Sequence, residues 1–401
     1  MNVRAERFPL VDSLRAVAAL AVLSFHAAFF AGMYTSDSPL RPYLAQPTAG
    51  ISLFFVISGF LLYRPFVQAR REGDPSPSTR AYAWRRFLRI VPAYWVALTV
   101  VAIWLSIDTV FDPAWHVLVF YGFAQIYVHP LEIDGLGQAW TLCVEVTFYA
   151  LLPLWALAMR RLGARGELAA LASLCVVSIA WKLYATQYID TVNTGQWLLP
   201  LPTFLDQFAV GMALAIASVH AVPARVEGHL QRAWPWWLLA AVAYWAMSTQ
   251  IGLDGSLDER AGRSEFMLRH GLSTVVAGSL LVSAVFGWQR RDRVRRVLGW
   301  RPLLFVGLVS YGLYLWHLAV VQKVAKATAD FMVDSGMGVE TRFVFVLALA
   351  GAGAGAIATA SYFLVERPAL RLKRLVGPPP ERHQPGEALA ESAPAGTAKR
   401  G

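Results

Sequence analysis

Ten apolar runs, each about as long as a bilayer-crossing helix, occupy most of this chain. They fall at residues 8–32, 48–68, 88–107, 138–159, 167–188, 198–219, 235–252, 268–288, 302–323 and 342–364, and are numbered spans 1 to 10 below. A helix needs about 20 apolar residues to cross the hydrocarbon core. Only helices and closed barrels satisfy every backbone N–H and C=O in lipid, so runs of this length predict an all-α integral membrane protein. The composition agrees, with 56% apolar and 15% charged residues. Span 1 is too long for a cleavable leader and opens a series of further spans. Cys143 and Cys175 lie in different spans, at no spacing that suggests a disulfide framework or a metal site.

An eleventh run, 114–128, is shorter and more polar. If it crossed, the basic loops before span 3 (Arg70, Arg71, Arg80, Arg85, Arg86) and after span 4 (Arg160, Arg161, Arg165) would face opposite sides. If it dips in and returns, 27 of the 36 Lys and Arg residues gather on one side. Lys and Arg mark the cytoplasmic side of short loops, so the second arrangement is predicted: ten transmembrane helices plus one re-entrant segment, in the cell membrane, both ends cytoplasmic. The net charge of +10 is then a topology signal and calls for no nucleic acid. Residues 377–401, rich in Pro, Gly, Ala and charge without aromatics, read as a disordered cytoplasmic tail after a membrane domain over 8–368.

Ionisable side chains are costly in hydrocarbon, and those retained there point to function. Helical rise places His26 about 9 Å below the outer end of span 1, Glu145 about 10 Å into span 4, Asp206 about 12 Å into span 6 and His317 about 9 Å from the outer end of span 9. Four such groups in one layer predict a shared polar cavity. Toward the cytoplasm, Asp12 and Arg15 sit three apart on one helical face, suited to an ion pair in which Asp12 is structural. Arg85, Arg86 and Arg89 crowd the inner mouth of span 3, and guanidinium forks suit phosphate. Arg15 and His26 are about 16 Å apart by rise, comparable to a pantetheine arm.

The residues resemble the acyltransferase 3 family. Its hallmark is an Arg, ten residues and a His, as at Arg15 and His26 after Phe8-Pro9-Leu10-Val11-Asp12. The similarity continues through Gly50-Ile51-Ser52-Leu53-Phe54-Phe55-Val56-Ile57-Ser58-Gly59-Phe60, the Arg85/Arg86/Arg89/Pro92 cluster and Ala139-Trp140-Thr141-Leu142-Cys143-Val144-Glu145. It resumes at Asp206-Gln207-Phe208-Ala209-Val210-Gly211, Ser310-Tyr311-Gly312-Leu313-Tyr314-Leu315-Trp316-His317 and Glu366-Arg367-Pro368. Val11 and Ser13 depart from the usual Leu and Gly without disturbing Asp12, Arg15 or His26. The resemblance implies transfer of an acyl group, expected to be acetyl, from acyl-CoA as co-substrate to a hydroxyl of a sugar, glycan or glycosylated metabolite, with no bound cofactor. It also implies ten spans. The soluble esterase-like domain that follows the membrane part in some relatives is not expected here.

Attack of an alcohol on a thioester needs a base, and imidazole near neutral pH serves. His26 is the expected general base. Glu145 is the expected carboxylate that orients it, as in a triad, and Asp206 competes for that role. Ser58, Tyr311 and Trp140 are candidate oxyanion donors. His317 and the arginines 15, 85, 86 and 89 complete the expected substrate-binding set. The competing class is a proton-coupled multi-span transporter, which also buries His, Glu and Asp but has no need of the arginine cluster.

Overall fold

The computed structural model describes residues 8–188, 197–251, 263–290 and 292–376. The tail expected over 377–401 lies outside them. All regular secondary structure among the described residues is helical, with no strand. The long helices are α1 (Pro9–Phe30), α2 (Pro47–Glu72), α3 (Thr79–Leu105), a short α4 (Trp115–Tyr121), α5 (Trp140–Ala158), α6 (Ala164–Ala185), α7 (Leu205–Val219), α8 (Ala233–Thr249), α9 (Arg263–Val285), α10 (Arg301–Leu308), α11 (Ser310–Asp334) and α12 (Val339–Ser361).

Local chemistry sets several boundaries. Pro9 opens α1, where the missing N–H costs nothing. The Ser78 side chain accepts the Ala81 N–H to cap α3. Gly73 closes α2 at φ 73°, a conformation only glycine adopts freely. Pro65, Pro92 and Pro153 lie inside α2, α3 and α5, which membrane helices tolerate because neighbours re-satisfy the freed carbonyls.

Eight helical stretches among the described residues are long and apolar enough to cross a membrane. The pair α10–α11, bent by 76°, makes a ninth. The expected span 7 is α8, whose 17 residues fall short of the usual spanning length. Among the described residues the count is therefore eight, or nine with the bent pair, against the ten expected. Many large apolar residues on these stretches face outward, among them Ile103, Leu154, Val176, Val344 and Leu364, as a lipid-facing surface requires.

Side-chain contacts gather the basic segments on one face. Arg70 near the end of α2 pairs with Glu167 near the start of α6. The Arg64 guanidinium of α2 lies over Phe8 just before α1, and Arg89 of α3 pairs with Glu366 beyond α12. The loops before α3 and after α5 therefore share this basic face. The connection between α3 and α5 holds a helix, α4, of only seven residues, about 10 Å, too short to cross a bilayer.

The most extensive contact is between α2 and α7. Gly59 and Gly211 make it possible: a Cβ at Gly59 would stand 2.3 Å from the Phe208 carbonyl oxygen, and one at Gly211 2.0 Å from that of Val56. Without hydrophobic drive between helices in lipid, such close backbone approach is a main source of cohesion. Helix α1 is central, packing on α2, α9, α10, α11 and α12. That placement takes Arg15 and His26 into the interior.

Candidate functional site

Two cavities follow α1. The first, about 80 Å³, lies toward the basic face and is lined by Arg15, Ser58, Arg86, Arg89, Glu145 and Tyr149, with Tyr311 and Tyr314 from α11. The second, about 1170 Å³, lies toward the opposite face and is lined by His26, Ser52, Trp140, Gln207 and His270 among others. Ile51 and Tyr314 belong to both walls. Tyr314 is held by its hydroxyl, 2.8 Å from the Gln138 carbonyl and 2.7 Å from the Thr141 hydroxyl.

In the small cavity, Glu145 accepts hydrogen bonds from the Ser58 and Tyr149 hydroxyls, each at 2.7 Å. Arg15 and Arg86 are near enough to act on this carboxylate through space. Asp12 stands 3.8 Å from Arg15, so the expected pair forms, but loosely. Arg89 donates to buried Glu366 at 3.4 Å and lies 5.9 Å from the centre of the Tyr311 ring. Glu366 is brought inward by a single π-helical stretch, Tyr362–Glu366, a feature often found at functional sites. The Arg86 Nε is buried with no partner among the described residues. Three guanidiniums and one carboxylate, Glu145, line this cavity, with Asp12 and Glu366 pairing with Arg15 and Arg89 from outside the lining; guanidinium forks so gathered suit anionic oxygens. Arg85 lines neither cavity. Just beyond the last span, partial burial and then the charges of Arg89, Arg86 and Arg85 hold the Lys373 ammonium below the ordinary lysine range.

His26 is not paired with Glu145. Its Nδ1 is 3.0 Å from the Val22 carbonyl and 3.1 Å from Nε2 of His317, whose own Nδ1 is 2.8 Å from the Tyr314 carbonyl. A carbonyl only accepts, so each neutral ring carries its proton on Nδ1. His317 then offers its Nε2 lone pair to the His26 N–H. Nε2 of His26, with no partner among the described residues, keeps a free lone pair on a ring that lines the large cavity.

The expected shared layer of four groups therefore divides into three sites. Helical rise put Glu145 level with His26 on the assumption that span 4 starts at the membrane surface. Helix α5 starts deeper: the Gln138 amide just before it donates to the Tyr314 and Leu315 carbonyls, below His317 on α11. Asp206 does not orient His26 either, since it binds Lys182 at 2.8 Å and His270 at 3.0 Å. Of the expected oxyanion donors, Ser58 is committed to Glu145 and Tyr311 donates to the Ile90 carbonyl at 2.7 Å; Trp140 lines the large cavity.

Sequence reasoning passed over Lys182 and His270. Lys182 lies inside span 5, where the rule applied to His26 applies equally. His270 is the third residue of span 8 and reads as interfacial there, but α9 begins five residues earlier and places it two turns in.

Residues 9–360 match the family described as an acyltransferase domain. The chain belongs to the acyltransferase 3 family. This family member is 25% identical over 334 residues to YrhL of Bacillus subtilis, assigned as a peptidoglycan O-acetyltransferase, covering 78% of this chain and 48% of that protein. It is 22% identical over 340 residues to the peptidoglycan O-acetyltransferase OatA of Listeria monocytogenes, covering 78% and 49%. It is 28% identical over 295 residues to nodulation protein 10 of Rhizobium leguminosarum, covering 68% and 71%. The acyltransferase 3 chain thus spans about half the length of the first two relatives. No solved structure matches it significantly.

Proposed function

We propose that the protein is a membrane O-acetyltransferase that uses acyl-CoA as donor and His26 as general base. The observation that carries this reading is the anchored imidazole: both protein bonds of His26 go to Nδ1, and Nε2 faces a cavity large enough for a sugar-sized acceptor. The membership in the acyltransferase family and the names of the relatives support the reaction class. None of the relatives named above carries a transporter's name, and the carrier reading has no observation in its favour.

The donor's phosphates sit at the basic face, taken as cytoplasmic, on Arg86 and Arg89 with Arg15 behind them. Arg85 and Lys373 add long-range attraction for the anion. The arm carrying the thioester runs along α1 past Tyr314 over about 16 Å. The acceptor hydroxyl occupies the large cavity. Its proton passes to His26 Nε2 as its oxygen attacks the thioester carbonyl. The tetrahedral intermediate collapses with C–S cleavage, and the departing sulfur takes the proton from His26. The Val22 carbonyl fixes the productive His26 tautomer, and His317 adds a second acceptor to the same N–H, in place of a carboxylate.

The test is thiol release from acetyl-CoA by the purified protein, with peptidoglycan fragments and a mixed glycoside pool as acceptors. Release lost in His26→Ala, together with a raised acetyl-CoA KM in Arg89→Ala, is expected. Release unchanged in His26→Ala would refute the mechanism.

A further inference from the structure

The large cavity has a second polar wall at Gln207 and His270, backed by Lys182 and Asp206, on helices that carry neither His26 nor Arg15, Arg86 and Arg89. Lys182 comes from α6, Asp206 and Gln207 from α7, and His270 from α9. Lys182 Nζ donates to Asp206 Oδ2 at 2.8 Å, and His270 Nε2 stands 3.0 Å from both carboxylate oxygens. The Gln207 backbone N–H also donates to Oδ1 at 3.0 Å, and the Ser178 hydroxyl, which donates to the Thr203 carbonyl at 2.9 Å, stands 3.2 Å from the same oxygen. A carboxylate only accepts, so Nε2 of His270 carries a proton, and in the neutral ring the lone pair is on Nδ1. Nδ1 has no hydrogen-bond partner among the described residues, although the ring is buried and lines the cavity.

A pair kept for folding alone does not need this ring. Lys182 and Asp206 already neutralise each other, and the Gln207 backbone N–H adds a further donor to the carboxylate. The imidazole adds an acceptor with no partner among the described residues, on a ring that lines the cavity. The same construction occurs at His26, where one nitrogen is anchored and the other faces the same cavity. Trp140 and Phe204 line this cavity too, with ring centres 5.6 Å apart, and Phe204 lies 5.9 Å from His270.

We propose that His270 is the acceptor-holding residue of the cavity: its Nδ1 accepts a hydrogen bond from an acceptor hydroxyl other than the one being acylated. Asp206 and Lys182 are positioning residues that fix the ring and its tautomer. The proposal rests on the acetyltransferase reading above. A site built to bond a hydroxyl discriminates against an acceptor that lacks it, because the buried lone pair is then stranded. Acceptors with a second hydroxyl in the right place are selected over simple alcohols.

Two measurements on the full chain in detergent micelles test this. Diethyl pyrocarbonate acylates an unprotonated ring nitrogen and expels ethyl carbonate, so peptide mass analysis of the wild-type protein reads the open lone pair without any variant or turnover. Labelled His270 is expected; unlabelled His270 beside labelled His26 overturns the proposal. The second measurement is acetyl transfer to methyl hexosides and their monodeoxy analogues, in the wild type and in His270→Phe. One deoxy position should cost the wild type about tenfold in kcat/KM. His270→Phe should erase that difference and leave the acetyl-CoA KM unchanged. An equal loss on every acceptor, or a raised acetyl-CoA KM, overturns the proposal alone. A wild type that releases no thiol from acetyl-CoA with any acceptor overturns the acetyltransferase reading and this proposal with it.

Discussion

Replacing His317 with Leu removes one bond from the catalytic imidazole and leaves the other. His26 Nδ1 is 3.1 Å from His317 Nε2 and 3.0 Å from the Val22 carbonyl. In His317→Leu the backbone carbonyl still fixes the proton on Nδ1, so the reactive tautomer survives and only one hydrogen bond is lost. Such a bond is worth about 0.5–1.5 kcal/mol, which converts to roughly a two- to thirteenfold drop in kcat. Loss of the tautomer itself would cost about 10⁴, the scale known for a triad whose carboxylate is removed. The assay is acetyl transfer under saturating acetyl-CoA, with the acetyl-CoA KM as a control for the distant arginine site. A drop beyond about a thousandfold would mean that His317 takes part in proton transfer and that Val22 does not hold the ring. No drop at all would mean that the His–His contact has no bearing on catalysis.

Glu145→Gln should raise the acetyl-CoA KM severalfold and change kcat little, since Glu145 sits beside Arg15 and Arg86 and receives Ser58 and Tyr149; a collapse of kcat alone would return Glu145 to the imidazole. Raising salt from about 0.05 to 0.5 M should raise the acetyl-CoA KM severalfold by screening the charges near Lys373, in steady-state kinetics with the acceptor held constant. Gly211→Ala should cost at least about 1–3 kcal/mol by forcing α2 and α7 apart, read as a lowered melting temperature in detergent, because its Cβ would meet backbone at 2.0 Å. Gly355→Ala on α12, with nothing within 4 Å, is the control that should leave stability unchanged or raise it.

The sequence by itself determined the class of the fold, nearly all of the helical segments and the identity of the costly side chains. These are properties of single segments: apolar length fixes a span, and the Lys and Arg bias puts the basic loops together, which Arg70–Glu167 and Arg89–Glu366 show as contacts. The order of motifs from Arg15 to Glu366 also sufficed to reach the family. Which polar group meets which was decided only in three dimensions. Depth along one helix is measured from its own start, and two starts were not at the surface. Helix α5 begins at the level of Tyr314, where Gln138 is tied to α11, so Glu145 falls among the arginines and His317 takes its expected place beside His26. Helix α9 begins ahead of its apolar run, so His270 enters the membrane layer and meets Asp206. A hydropathy pattern records how apolar a stretch is; the partner of a buried charge depends on where neighbouring helices start and how they cross.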